Sequence, residues 1–195
     1  MPVSFYEPSA AQVAPALLGH WLIRRIDGQV LGGPIVETEA YLRDDPACHA
    51  SRGQTPRTTV MFGPPGRAYV YFIYGCHFCV NAVCMPEGAA EAVLVRAIEP
   101  VLGLDQMRRL RAKAKSDHQL TNGPGKLCQA LQIARSENRV DLTDPASPLF
   151  IARNPEAAVF RRSHGGMRTS RRIGITVAAS LPLRFYLARH GHVSG

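Results

Sequence analysis

Glu37 and Glu39 stand two residues apart in Pro34-Ile35-Val36-Glu37-Thr38-Glu39-Ala40-Tyr41, a segment otherwise too apolar to lie in open solvent. As a strand, its alternation puts Ile35, Glu37, Glu39 and Tyr41 on one face and Val36, Thr38 and Ala40 on the other. Two carboxylates and a phenol ring then project together. A carboxylate held against an apolar wall beside a ring suits positioned proton transfer, and alternation alone does not say which of the two performs it.

A second aromatic piece is Tyr69-Val70-Tyr71-Phe72-Ile73-Tyr74. Alternation gives Tyr69, Tyr71 and Ile73 one face and leaves Tyr74 at the strand end before Gly75. Half-buried packing is the ordinary fate of such rings. The sharper reading is a ring that stacks on a nucleic-acid base, with another at the turn free to wedge into a duplex. Gly123-Pro124-Gly125-Lys126-Leu127 resembles a phosphate loop only on the surface. A P-loop needs Gly where Leu120 stands and Ser or Thr where Leu127 stands. A Gly-rich turn opening a basic helix can still hold one backbone phosphate through its amides.

Cys76-His77-Phe78-Cys79, with Cys84 and Cys128, raises a zinc reading. On a strand, however, Cys76 and Cys79 point to opposite faces, and no second such pair exists. No metal and no cofactor are expected. Arg108, Arg109, Arg111, Lys113 and Lys115 form one basic cluster, and Arg161, Arg162, Arg168, Arg171 and Arg172 another; together with loop arginines they favour phosphate contacts.

These groups need elements to hold them. A helix over Ala10 to Leu18, capped by Ser9 and stopped by Gly19, is followed by a strand over Trp21 to Ile26 and an Asp27-Gly28 turn. After the acidic strand, a polar loop from Arg43 to Thr59 carries His49, Arg52 and Arg57. Ala68 to Tyr74, His77 to Cys84 and Ala92 to Ile98 read as strands, and Leu102 to Lys115 and Pro124 to Ile133 as helices. Leu149 to Ala152, Ile173 to Val177 and Leu183 to Leu187 complete the strands. Strands cluster without alternating strictly with helices, so the expected fold is α+β, a curved and mainly antiparallel sheet with peripheral helices in one domain over 1–195. Arg189-His190-Gly191-His192 reads as part of a mobile tail over 188–195.

Composition narrows the partner. The chain has 195 residues, 46% of them hydrophobic and 19% charged, which excludes wholesale disorder. A net charge of +8 suits a polyanion. No apolar run reaches the ~20 residues of a membrane span, so no membrane partner is expected. Without a signal-like start, an odd number of cysteines points to reduced thiols in the cytoplasm; the expected location is cytoplasmic, nucleoid-associated if the source is bacterial.

Ile35-Val36-Glu37-Thr38-Glu39-Ala40-Tyr41, His49, Ser51-Arg52-Gly53, Gln54-Thr55-Pro56-Arg57, Met61-Phe62, Tyr69-Val70-Tyr71-Phe72-Ile73-Tyr74-Gly75 and Asn81 recur in order in one family. So do Leu94-Val95-Arg96-Ala97-Ile98-Glu99-Pro100, Gly123-Pro124-Gly125-Lys126-Leu127, Arg172-Ile173-Gly174-Ile175 and Pro182-Leu183-Arg184-Phe185-Tyr186. In these the chain resembles the alkyladenine (3-methyladenine) DNA glycosylases from about residue 9 to 187. Thr176 to Leu181 departs from that pattern, lacking its tryptophan and charges.

The resemblance implies a monofunctional enzyme, expected to act as a monomer on double-stranded DNA. It would flip a damaged purine out of the duplex and hydrolyse its N-glycosidic bond, leaving an abasic site. Glu39 would activate the water and Arg96 hold water and carboxylate. Tyr41, His49 and Tyr71 would sandwich the base, Asn81 would reject guanine at the pocket floor, and Tyr74 would fill the gap in the duplex. Arg57, Gly125 and Lys126 would touch the DNA backbone. Glu37 would be structural, paired with an arginine. Two other readings compete. A damage-binding module of the same fold would need neither Glu39 nor Arg96. A sugar hydrolase using Glu37 with Glu39 would want its pair across a cleft, not two residues apart on one strand.

Overall fold

Gly32-Gly33-Pro34 is the corner on which the molecule turns. The computed structural model describes residues 1–195. Strand β1 (Trp21–Ile26) turns through Asp27 and Gly28, both at positive φ (48° and 71°), into the long β2 (Gln29–Tyr41). The first part of β2 pairs with β1, from Ile26↔Gln29 to Trp21↔Pro34. Past the corner, β2 pairs with β5 (Glu91–Ile98) on one edge, and Glu37 to Glu39 pair with β8 (Arg184–Leu187) on the other. A Cβ on Gly33 would lie 1.7 Å from the Glu99 carbonyl oxygen, and one on Gly32 would lie 2.3 Å from that of Leu22. Only glycine lets neighbouring backbone approach this closely.

The sheet order is β3-β4-β5-β2-β1-β6, with β3 (Ala68–Ile73), β4 (His77–Cys84) and β6 (Leu149–Ala152); β7 (Met167–Ser170) joins through β8. Every pairing is antiparallel. Helices α1 (Ala10–Leu17), α2 (Leu104–Leu110), α3 (His118–Thr121), α4 (Pro124–Ala130) and α5 (Ala157–Ser163) surround it. The fold is α+β, and the sheet curls. Leu17, Leu22, Ile35, Ile98, Met107 and Leu127 meet in its core. No helix is long and apolar enough to cross a membrane.

Several expectations are corrected. The helix read over Leu102 to Lys115 covers only Leu104–Leu110. Beyond Leu110 the sequence offers alanines between basic residues, too little apolar face to bury. The helix from Pro124 stops at Ala130, and Gln132 is left-handed at φ 50°. Ile173 to Val177 is not a strand; Gly174 and Ala178 have φ of 78° and 50°, which breaks an extended run. Helices α3 and α5 and strand β7 gave no periodic signal. The tail over 188–195 is seated, not free. Arg189 N–H donates to His164 O, His190 Nε2 lies 3.2 Å from Glu99 Oε2, and Ser194 is buried.

Candidate active site

Where β2, β5 and β8 run together, the ladder slips twice. Ile35 pairs with Ile98 and Glu37 with Ala97, so Val36 is extra in β2. Thr38 then pairs with Val95, so Arg96 is extra in β5. A bulge re-aims the side chain it releases. Arg96 is turned onto both carboxylates, its Nε donating to Glu37 Oε1 and its Nη1 lying on Glu39 Oε1, each at 3.2 Å. Burial works against the Arg96 charge, but Glu39 and Glu37 outweigh it and raise its pKa further.

The two carboxylates are both fully buried and differently held. Glu37 accepts from Arg96, from Arg184 Nε at 2.6 Å, and from the amide and hydroxyl of Ser194 at 2.7 and 2.8 Å. Of these donors only Arg96 lines the cleft; Arg184 and Ser194 do not. Glu39 is ion-paired with Arg96 Nη1 and accepts from the Ile173 amide at 2.8 Å on Oε1 and from the Tyr41 hydroxyl at 2.9 Å on Oε2. Arg96, Tyr41 and Ile173 all line one cleft of about 340 Å³. Glu39 therefore sits one layer behind the cleft wall, and Oε2 has only Tyr41 as a partner.

That cleft continues into a narrow inner pocket, which shares Tyr41, Ala47, His49 and Tyr71 and adds Cys48, Met61, Tyr69, Asn81 and Ala92. Together they form a largely apolar, aromatic recess with a few polar groups, the usual make-up of a small-molecule site. His49 and Tyr71 contact edge to face, with ring centroids 4.5 Å apart, and make one wall. His49 Nδ1 is tied to the Tyr69 hydroxyl at 2.9 Å. Burial, helped by the Arg57 charge, pushes the His49 pKa down to about 4, so the ring is neutral at pH 7. Tyr41 and Tyr71 are pushed up, chiefly by burial, and keep their protons. Asn81 Nδ2 donates to Tyr69 O at 2.9 Å, fixing the amide in the inner pocket.

Tyr74 stands at the mouth. It occupies the β3–β4 turn at φ 55°, is 75% exposed, and lines the cleft. Across the opening lies the loop of Ile173, Gly174 and Ile175; a Cβ on Gly174 would be 3.9 Å from the Tyr74 hydroxyl. Lys126 and Gly125 line the same mouth, but Lys126 Nζ is bonded to Asn122 Oδ1 at 2.9 Å. Gly125 has a packing reason as well, since a Cβ there would lie 2.9 Å from His77 Cγ. Arg57 lies over the Tyr71 ring at 5.1 Å. All ten residues singled out from the sequence thus lie in or around one cleft, Glu39 behind its wall and Arg57 on the far side of Tyr71.

Sequence reasoning missed the supports. Arg172, counted in a basic cluster, is buried instead. It pairs with buried Asp45, donates to Ala40 O at 2.9 Å and lies 4.7 Å over the Tyr41 ring. Arg108 is likewise engaged by Asp105 and Asp117, and Arg161 Nη1 donates to Leu18 O. Ser194 and Arg184 gave no local signal. The only pointer was that Arg172 and Arg184 fall inside the two C-terminal stretches familiar from the family pattern.

The family model for Methylpurine-DNA glycosylase (MPG) matches residues 4–191. A protein of Carboxydothermus hydrogenoformans is 47% identical over all of this chain and 98% of its own length, and one of Methanoculleus marisnigri 50% identical over the same shares. A third, from Koribacter versatilis, is 44% identical over all of this chain and 93% of its own. All three carry the provisional name 3-methyladenine DNA glycosylase. A carboxylate–arginine pair behind an aromatic recess and a match along nearly the whole chain lead to one conclusion: this chain belongs to the methylpurine-DNA glycosylase family and is a DNA glycosylase.

Proposed function

We propose that the enzyme is monofunctional. It turns a damaged purine out of double-stranded DNA into the aromatic recess and cleaves the N-glycosidic bond with a water activated by Glu39. The observation that carries this is the fully buried Glu39 held by Arg96, the Ile173 amide and the Tyr41 hydroxyl, three groups that themselves line the cleft. The neutral His49 and Tyr71 wall, with Tyr41 on the same cavity, offers π-faces to a base; stacking contributes about 1–3 kcal/mol, and a cationic alkylated purine gains more. Unstacking a damaged base costs less of the few kcal/mol involved than unstacking a sound one.

Purines alkylated at N3 or N7 carry positive charge and leave readily. The bond from C1′ to the base nitrogen breaks with its electrons going to the base. An oxocarbenium-like sugar forms, water adds to C1′, and Glu39 takes the proton. The products are the free base and an abasic site on an intact strand. Because Oε2 is bonded to the Tyr41 hydroxyl, water reaches Glu39 as that hydroxyl yields its bond to the incoming base. Asn81, fixed on Tyr69 O, meets the base edge at the pocket floor and excludes the exocyclic amine of guanine. Tyr74 fills the space the base leaves, while Arg57, Gly125 and Lys126 approach the backbone. Hypoxanthine, a neutral deaminated purine, enters the same recess.

The test is single-turnover release of base from duplexes carrying 7-methylguanine or hypoxanthine, comparing the parent with Glu39→Gln. The variant is expected to bind the lesion duplex as the parent does and to release base about 10²–10⁴-fold more slowly. Release at the parental rate removes Glu39 from the chemistry. A damage-binding module is the outcome if the parent itself releases nothing.

A further inference from the structure

We infer that Ser194 is a positioning residue for catalysis, acting through Glu37 and Arg96 on Glu39; this rests on the assignment of Glu39 and Arg96 above. Ser194 lies 157 residues from Glu37 along the chain, yet every polar atom it has is engaged there. Its amide is the partner of Glu37 Oε2 at 2.7 Å, and its carbonyl accepts from Arg184 Nη2 at 2.7 Å. Its hydroxyl donates to Glu37 Oε1 at 2.8 Å and accepts from Arg96 Nη2 at 3.3 Å. A single hydroxyl can do both, because it carries one proton and two lone pairs.

The guanidinium of Arg96 is a planar fork with fixed donor directions. Its Nε is taken by Glu37, its Nη2 by Ser194, and its Nη1 is left for Glu39. Ser194 therefore sets the rotation of that fork. Without the hydroxyl, Nη2 is a buried donor with no acceptor, and the nearest remedy is to turn toward Glu39 and occupy the carboxylate that must meet the water. The tail is held independently of this hydroxyl by His190 against Glu99 and by the Ser194 amide, so its loss leaves the chain in place.

The experiment is Ser194→Ala, Ser194→Thr and Ser194→Cys, each assayed for single-turnover base release and for binding to the same lesion duplex, with Glu39→Gln alongside. Ser194→Ala is expected to slow release about tenfold or more, the effect of one hydrogen bond to a charged group, with Kd unchanged. Ser194→Thr, which restores the hydroxyl, should recover the parental rate. Ser194→Cys, near-isosteric but a weak donor and acceptor, should resemble alanine and decides the matter if alanine does not fold. Parental release from the alanine or cysteine variant overturns the inference, as does failure of threonine to rescue, or a loss confined to Kd. Parental rates in those variants with Glu39→Gln inactive would sink Ser194 alone; an active Glu39→Gln sinks the reading beneath it.

Discussion

Arg172 illustrates how much of this site depends on side chains packed behind its walls. Buried at both ends of its pair with Asp45, it also spans Ala40 O and the face of Tyr41. Removing one member of a buried pair leaves the other charged and unsolvated. Arg172→Met is therefore expected to lower stability by about 3–5 kcal/mol in urea unfolding, far more than a surface arginine would. A change below about 1 kcal/mol would show that Asp45 finds water once Arg172 is gone. Asn81→Gly is expected to admit guanine, read as release of free guanine from undamaged duplex; unaltered selectivity would dismiss the gate. At this scale the sequence was legible wherever a residue type stood out against its surroundings, as Glu39 and Glu37 do in an apolar strand. It was silent about Arg172 and Ser194, whose meaning comes from residues 127 and 157 positions away.

At the scale of elements, alternation predicted which side chains of β2 would cooperate, since Glu37, Glu39 and Tyr41 do gather on one side. It could not predict the twin slips that free Val36 and Arg96, because a bulge leaves no mark on residue type. The Gly32-Gly33 corner was present in the sequence but its reason was not, since the crowding atoms belong to Leu22 and Glu99. Gly33→Ala is expected to cost about 3 kcal/mol or more, at the upper end of overpacking, because the obstacle is backbone and has nowhere to go. An unfolding midpoint equal to the parent's would mean that the corner opens easily. The β3–β4 turn offers the opposite case. Tyr74 stands at φ 55°, a conformation that costs an ordinary side chain about 1 kcal/mol or more. Tyr74→Gly should therefore gain stability while losing lesion capture, measured as the ratio of Kd for lesion and undamaged duplex; an unchanged ratio would count against the wedge.

For the whole molecule, the excess of positive charge makes DNA binding fall steeply with salt, and a flat log Kd against log salt would contradict phosphate contacts. Stability should depend on acid in a defined window. Burial lowers His20 and His49 to about 4, and lowers His190 and His192 as well. Unfolded histidines take up protons near pH 6.5 and these folded ones do not, so stability is full above 6.5 and declines as pH falls from there towards 4. A melting temperature constant across that window would refute this. Fold class and family came readily from the sequence, because strand clustering and ordered motifs run the length of the chain. The seating of the last eight residues did not, since polar tails look alike until a partner is known. Residues 37 to 39 have β5 on one edge and β8 on the other, so their amides lie in the middle of the sheet. Local opening reaches edges first, and central strands open only with the whole. Hydrogen exchange at Glu37, Thr38 and Glu39 should therefore be among the slowest in the protein, and heat should abolish base release and native protection together. Glu39, the carboxylate proposed to activate water, then has no partly unfolded life of its own.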